Sequence, residues 1–282
     1  MQEFLFPDAA FDARLTLQES AQAFHWREWD NCFYSVSGGF PMRVRQLGVG
    51  IAVDAPEGCS EARLRRYFDL DRDYGAIVRE YGDCPCAGEA FSMLPGLRIL
   101  RQPPWEALVA FLLSQNNNTA RIGALVRGVS EHFGERVEAF GRTLYAFPEP
   151  EALARAGAEA FRAIGCGYRA EYLAGTAQSV LDGFPLEELA DMRYEDAHEK
   201  LLELPGVGPK VADCVLLFGC GHLSAYPVDV WVARLSRAWL GIDGKTGPDL
   251  ARNARARLGP HACILQQYLF HCARCGLITT DL

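Results

Sequence analysis

Lysine is nearly absent: of 28 basic residues in the 282-residue chain, only Lys200, Lys210 and Lys245 are lysines, so arginine carries almost all of the positive charge. The chain is rich in Ala and Arg throughout, which accounts for the skew but makes each lysine worth placing. A membrane-spanning run is also missing. The most apolar stretch, Trp105–Leu113, is interrupted by Glu106 and followed by Ser114-Gln115-Asn116, far short of the ~20 apolar residues that a span needs. No basic leader opens the chain, since Glu3 and Asp8 stand where a secretory signal carries positive charge. These absences predict a cytoplasmic chain with no membrane role, in which the ten cysteines are reduced thiols, most of them core filler.

Net positive charge is lacking too. With 36 acidic groups the formal charge is −8, which excludes a wholly basic nucleic-acid binder. The deficit is uneven, because residues 201–282 hold 8 basic and 6 acidic groups and leave room for a local basic face. What is present is an ordinary globular composition, 49% apolar and 23% charged, long enough for one large domain or two modest ones.

Up to about residue 100 the segments are short and mixed. Phe33–Ser37, Met42–Leu47 and Gly48–Val53 alternate or are β-branched, with Gly38-Gly39 as a hairpin signal, and predict antiparallel sheet. Glu61–Phe68 and Tyr74–Tyr81 read as helical pieces. From Pro103 onward the 3.6-residue period dominates, in segments that include Trp105–Leu113, Thr119–Phe133, Arg142–Phe147, Glu151–Ala156, Ala158–Ile164, Lys210–Gly219, Val230–Leu240 and Ala262–His271. The prediction is an α+β fold: an N-terminal antiparallel sheet domain over 1–99 and a mostly helical domain over 100–282.

The most informative stretch is Leu202-Glu203-Leu204-Pro205-Gly206-Val207-Gly208-Pro209-Lys210-Val211-Ala212-Asp213-Cys214. A helix ends at Pro205, Gly206 and Gly208 permit a tight turn with positive φ, and Pro209 opens the next helix where its missing N–H costs nothing. Backbone N–H groups of such a turn can hold a phosphate without side-chain charge, so an acidic protein can still grip DNA. On spacing alone the hairpin serves equally as a non-catalytic clamp. Lys210 falls in the first turn, where the helix dipole disfavours a cation by about 0.3–1 kcal/mol. That is too little to strip its proton, and burial against bound substrate must supply the rest. A neutral amine so placed can attack a sugar carbon and form a Schiff base, whereas a charged one would contact a phosphate. Asp229 precedes Val230–Leu235 and reads as a helix N-cap.

The Leu-Pro-Gly-Val-Gly-x-Lys stretch resembles the helix-hairpin-helix element of base-excision DNA glycosylases, and Pro227-Val228-Asp229 resembles that superfamily's Gly-Pro-Asp loop. Together with Ser114–Ile122, Gly165–Ala170 and Lys210–Cys214, the sequence is similar to the 8-oxoguanine DNA glycosylase/AP lyases, in order from about residue 14 to 275. The resemblance implies that Lys210 is the nucleophile and that Asp229 faces the positive charge developing on the sugar. A tight Lys210–Asp229 pair would hold the ammonium charged, so substrate is expected to bridge the two. Asn116 would fill the gap left by the flipped base, Arg121 and Arg169 would donate to the orphaned cytosine, and Tyr168 would wedge into the stack. On the residues alone, the Asn triplet is also a cap for the helix near Thr119.

For the base pocket, the resemblance implies that Cys214 and Phe270 sandwich the purine and Gln266 reads its Watson–Crick edge, with Gln267 leaving the register open by one. A backbone carbonyl at Ala21 would accept the N7–H that distinguishes 8-oxoguanine. The family's usual glycine is replaced there, a change expected to forfeit the glycine's conformational freedom. Trp231 departs from a common histidine. Cys263, Cys272 and Cys275 lack a fourth partner for an iron–sulfur cluster, and neither metal nor other cofactor is expected. The expected partner is duplex DNA with 8-oxoguanine opposite cytosine, bound by a monomer, in a nucleoid-associated setting if the source is bacterial.

Overall fold

The computed structural model describes residues 1–277. Five antiparallel strands open the chain: β1 (Gln2–Phe6), β2 (Arg27–Trp29), β3 (Cys32–Ser37), β4 (Phe40–Leu47) and β5 (Gly50–Ala55), in the order β1-β5-β4-β3-β2. Gly38 and Gly39 join β3 to β4 with φ of +54° and +77°, the two-residue left-handed turn whose twist suits a hairpin. Every residue of β5 is buried, as befits a strand between two others under a covering layer. Phe11, Val44, Ile51, Val53, Leu64, Phe68 and Leu100 form the core of this layer, closed by helix α1 (Glu61–Tyr67), which Ser60 caps.

Helices α2 (Tyr74–Glu80) and α3 (Pro85–Met93) follow, and their buried residues join the larger helical core instead of the sheet's. At the centre of that core lies α4 (Pro104–Ser114), buried from Trp105 to Leu113 and apolar on all faces except at Glu106. Beyond it come α5 (Thr119–Phe133), the hairpin strands β6 (Arg136–Ala139) and β7 (Arg142–Tyr145), α6 (Pro150–Ala163), α7 (Arg169–Leu181) and α8 (Tyr194–Leu201). The last four helices are α9 (Pro209–Val215), α10 (Val230–Ala238), α11 (Gly247–Leu258) and α12 (Ala262–Cys275). Among the described residues no helix is long and apolar enough to cross a membrane.

The α+β arrangement agrees with the expectation, with two local differences. Arg142–Phe147, predicted helical, is a strand over Arg142–Tyr145. Phe140 and Gly141 turn with positive φ, and Ala139 and Leu144 pack on Tyr34 and Val36 of the sheet, so tertiary contact overrides a short helical pattern. The predicted Glu151–Ala156 and Ala158–Ile164 helices are separated where expected, by the non-helical Gly157 at φ +72° within α6. The predicted Lys210–Gly219 helix holds α-geometry only to Val215, then widens into a π-helical turn over Leu216–Cys220 that ends at left-handed Gly221.

Candidate active site

Helix α9 is held against α4, and the loop after α4 lies beside the α8–α9 hairpin. Gln115 ties the two together, its Nε2 donating to the Gly206 carbonyl at 3.1 Å and the Leu112 carbonyl at 3.2 Å. Gly206 has φ +76°, and a Cβ there would sit 2.2 Å from the Tyr172 ring, so both conformation and space require glycine. Gly208 differs from the expectation. It is extended at φ −95°, ψ 176°, and acts as the N-cap of α9 with open space around its Cα, so its value is close approach by a partner. Val207 is buried beneath the turn.

A cleft of about 740 Å³ opens beside this hairpin. Its wall includes Ala21, Asn116, Gly208, Lys210, Asp229 and Phe270. The Lys210 ammonium lies 3.4 Å from Ser114 Oγ and 5.3 Å from the centre of the Phe111 ring, anchored by α4 residues that the sequence did not single out. Asp229 caps α10 as expected, its Oδ1 accepting from the Val232 N–H at 2.8 Å. Lys210 and Asp229 share the cleft wall with no ion pair between them among the described residues. A cation and a carboxylate held apart on one wall leave room for a reacting group between them. Trp231 stands at the rim, 40% exposed.

Cys214 lies one turn after Lys210 and is buried. Burial pushes its thiol up to about 11, against the opposing pull of the Lys210 charge. Asp213 is turned to Tyr194, whose hydroxyl donates to it at 2.6 Å, and burial raises its carboxyl above the usual range despite that bond. Gln266 and Gln267, adjacent on α12, divide in role. Gln267 Nε2 donates to the Ser20 carbonyl at 2.6 Å, while the buried Gln266 Oε1 has no hydrogen-bond partner among the described residues. Neither Cys214 nor Gln266 contributes to the cleft wall itself.

Ala21 lines the cleft without glycine's conformational freedom, in a single left-handed conformation. Its φ is +58°, so the left-handed backbone is kept although the residue is not glycine, and the surrounding contacts must hold it there. Arg274, one turn after Phe270, also lines the cleft and donates to Thr119 Oγ1 at 3.1 Å and to the Glu19 carbonyl. Its position on the Phe270 face of α12 was the signal that could have found it.

The residues expected to face the opposite base gather at the end of α4. Asn116 takes φ +50° and donates through Nδ2 to the Tyr168 hydroxyl at 2.9 Å, while Asn118 performs the capping of α5 by accepting from the Arg121 N–H at 2.9 Å. Tyr168 is 47% exposed, as a wedge must be, and lies under the Arg169 guanidinium at 4.4 Å. Arg121 donates to the Gly165 carbonyl at 3.1 Å. Arg169 is placed less openly than expected: it is 7% exposed, and its Nε donates to the Gln115 carbonyl at 2.7 Å. Of the three C-terminal cysteines, Cys263 and Cys272 are buried and Cys275 is exposed, with Sγ 3.6 Å from His271 Nε2. Among the described residues no three His, Cys, Asp or Glu side chains gather as a metal site.

Comparison with known proteins identifies the family. Residues 3–108 match the 8-oxoguanine DNA glycosylase N-terminal domain and residues 109–261 the HhH-GPD superfamily base excision DNA repair protein. A probable N-glycosylase/DNA lyase of Methanothermobacter thermautotrophicus is 30% identical over 96% of both chains. An N-glycosylase/DNA lyase of Arabidopsis thaliana is 41% identical over 83% of this chain and 69% of its own. The solved 8-oxoguanine glycosylase/lyase of Clostridium acetobutylicum, in complex with double-stranded DNA containing cytosine opposite 8-oxoG, superposes with a TM-score of 0.87. It is 30% identical over 95% of this chain and 93% of that one. The chain belongs to the HhH-GPD superfamily of base-excision DNA repair proteins, in its 8-oxoguanine DNA glycosylase/lyase family.

Proposed function

We propose that this DNA glycosylase/lyase extrudes 8-oxoguanine paired with cytosine, excises it with Lys210 as nucleophile, and then cuts the strand by β-elimination. The observation that carries the reading is the cleft wall shared by Lys210, Asp229, Phe270 and the left-handed Ala21. In the reaction the Lys210 lone pair bonds to C1′ as the C1′–N9 bond breaks, and the base leaves with that electron pair and takes up a proton. Asp229 stabilises the positive charge on the sugar without donating a proton. Loss of the nitrogen's proton with opening of the sugar ring yields a Schiff base, and abstraction of a C2′ proton then expels the 3′-phosphate.

The base stacks on Phe270, and Gln266 Oε1, buried behind the cleft wall and unpaired among the described residues, accepts from its Watson–Crick edge once the entering base displaces what covers it. Leaving such an atom unpaired costs about 1–3 kcal/mol, which a purine amino group would relieve. Tyr168 and Asn116, already joined to each other, enter the stack as the plug. Arg121 and Arg169 exchange their carbonyl partners at Gly165 and Gln115 for the cytosine acceptors O2 and N3. The phosphate is held by the N–H groups at the start of α9, which Gly208 leaves open to approach.

Borohydride trapping on an 8-oxoguanine:cytosine duplex tests the assignment. A covalent adduct is expected with the unsubstituted protein and none with Lys210→Gln; an adduct that persists in the variant refutes the role of Lys210. Asp229→Asn keeps the α10 cap, since Asn and Asp cap about equally, and should cost excision by about 100-fold while duplex affinity holds. Equal excision opposite adenine and cytosine would remove the roles given to Arg121 and Arg169.

A further inference from the structure

Ala21 holds a φ of +58°, a conformation that a residue with a Cβ keeps only where its surroundings impose it. Those surroundings are side chains on both flanks. Before it, Arg274 donates to the Glu19 carbonyl and Gln267 Nε2 to the Ser20 carbonyl at 2.6 Å. After it, the buried Gln22 donates to Ser20 Oγ at 2.9 Å and to the Arg98 carbonyl at 2.7 Å, and accepts from the Leu100 N–H at 2.7 Å. Gln102 donates to the Gln22 carbonyl at 2.7 Å. Among the described residues, the carbonyls of Glu19, Ser20 and Gln22 each have a side-chain donor and that of Ala21 has none, although Ala21 lies on the cleft wall.

Gln267 and Arg274 flank Phe270 on α12, three residues before it and four after, and Arg274 lies 5.9 Å from the Phe270 ring. One helix therefore supplies both the stacking surface and the fastening of the loop opposite. We propose that Gln267 and Arg274 are positioning residues for substrate selection: by fixing the Glu19 and Ser20 carbonyls they force Ala21 to present its own carbonyl to the N7–H of the oxidised purine. The inference rests on the 8-oxoguanine reading above. It assigns to two side chains the restraint that a permissive residue at position 21 would not require.

The test is single-turnover excision from two duplexes, one with 8-oxoguanine and one with 7-deaza-8-oxoguanine. The second base keeps O8 and the Watson–Crick edge but has carbon in place of N7–H. The ratio of the two rates within one preparation cancels differences in the folded fraction and any uniform loss of activity. The unsubstituted protein should favour 8-oxoguanine by about tenfold or more, the worth of one hydrogen bond to a buried carbonyl. Gln267→Leu and Arg274→Leu should each lower that ratio by up to about tenfold, and Arg274→Lys, which can still donate to Glu19, should restore most of it. Gln267→Glu keeps the size and replaces the donor with an acceptor, so it reads the same contact if the leucine variant does not accumulate.

An unchanged ratio in Gln267→Glu and Arg274→Leu overturns the positioning role and leaves the glycosylase assignment standing. A ratio of one in the unsubstituted protein that still excises 8-oxoguanine overturns the role of the Ala21 carbonyl itself. No excision and no trapped adduct from the unsubstituted protein sinks the underlying functional reading instead.

Discussion

The hairpin at Gly206 and the loop at Ala21 both turn through left-handed backbone beside the same cleft, at φ +76° and +58°, yet they reach it by different means. At Gly206 the residue itself permits the conformation, and the neighbouring Tyr172 ring occupies the space a side chain would need. At Ala21 the residue resists it, and contacts from Gln22, Gln267 and Arg274 impose it. A turn encoded by its own residue is intolerant of substitution at that residue and indifferent to distant ones. A turn imposed from outside has the opposite sensitivities, and its failure is remote from the site it affects.

The contrast breaks most visibly at the hairpin. Gly206→Ala places a Cβ 2.2 Å from Tyr172 Cγ. Overpacking of that kind costs about 1–3 kcal/mol, and left-handed backbone adds about 1–2 kcal/mol. Urea unfolding should show a loss of about 2–5 kcal/mol. Tyr172→Ala in the same chain should recover the packing part and leave the backbone part, which separates the two causes.

A third left-handed turn asks whether outside contacts matter where glycine already suffices. The Gly38 N–H donates to Glu106 Oε1 at 2.6 Å, and Ser37 Oγ donates to Oε2 at 2.5 Å. Burial pushes the Glu106 carboxyl from 4.5 up to about 7, and the two hydrogen bonds pull it back only in part. Because the folded value lies above the unfolded one, the fold favours the protonated acid. The resulting stability is complete below pH 4.5 and is lost as pH rises to about 7, a change of about 3 kcal/mol. Glu106→Gln should abolish that slope in urea titrations between pH 5 and 8, because an amide can still accept from Gly38 and donate to Ser37. A slope that survives would mean that another group titrates.

The imposed turn should be sensitive at Gln22. Gln22→Leu leaves the Leu100 N–H and the Arg98 carbonyl without the partners they now have. The expected loss is about 2–3 kcal/mol in urea unfolding. If Ala21 is also released, selection against guanine should fall along with stability. Stability lost with selection intact would show that the restraint from α12 is sufficient alone.

These two turns also mark how far the sequence could be read. Gly206, Pro209, Lys210 and Asp229 were legible because turn chemistry and capping are local, and local chemistry fixes where those side chains stand. The sheet hairpin at Gly38-Gly39 was legible for the same reason. Arg142–Phe147 was misread as helix because its strand exists through packing on β3. The contacts of Arg274 were hidden, since its partners Thr119 and Glu19 lie 155 and 255 residues away in the chain, and only its place one turn after Phe270 pointed to it. A separation of 54 residues likewise hid the occupation of Arg169 by the Gln115 carbonyl. At Ala21 the replacement of glycine was legible and the left-handed backbone was not, because intrinsic preference says nothing about what a distant helix will enforce.

The smallest effect is the most discriminating. Ala21→Gly relieves about 1–2 kcal/mol of left-handed strain but gives back about 0.4–1 kcal/mol through the looser unfolded chain. Stability should therefore rise by no more than about 1.6 kcal/mol, read as a small upward shift in urea midpoint. With Gln267 and Arg274 in place, the preference for 8-oxoguanine over its 7-deaza counterpart should barely move, because the loop is already held. Combined with Arg274→Leu, the same glycine should recover selectivity that the single variant loses, since a residue that adopts φ +58° unforced needs less holding. Equal effects of Ala21→Gly in the two backgrounds would mean that the loop and α12 act independently, and the distinction between encoded and imposed turns would fail at this site.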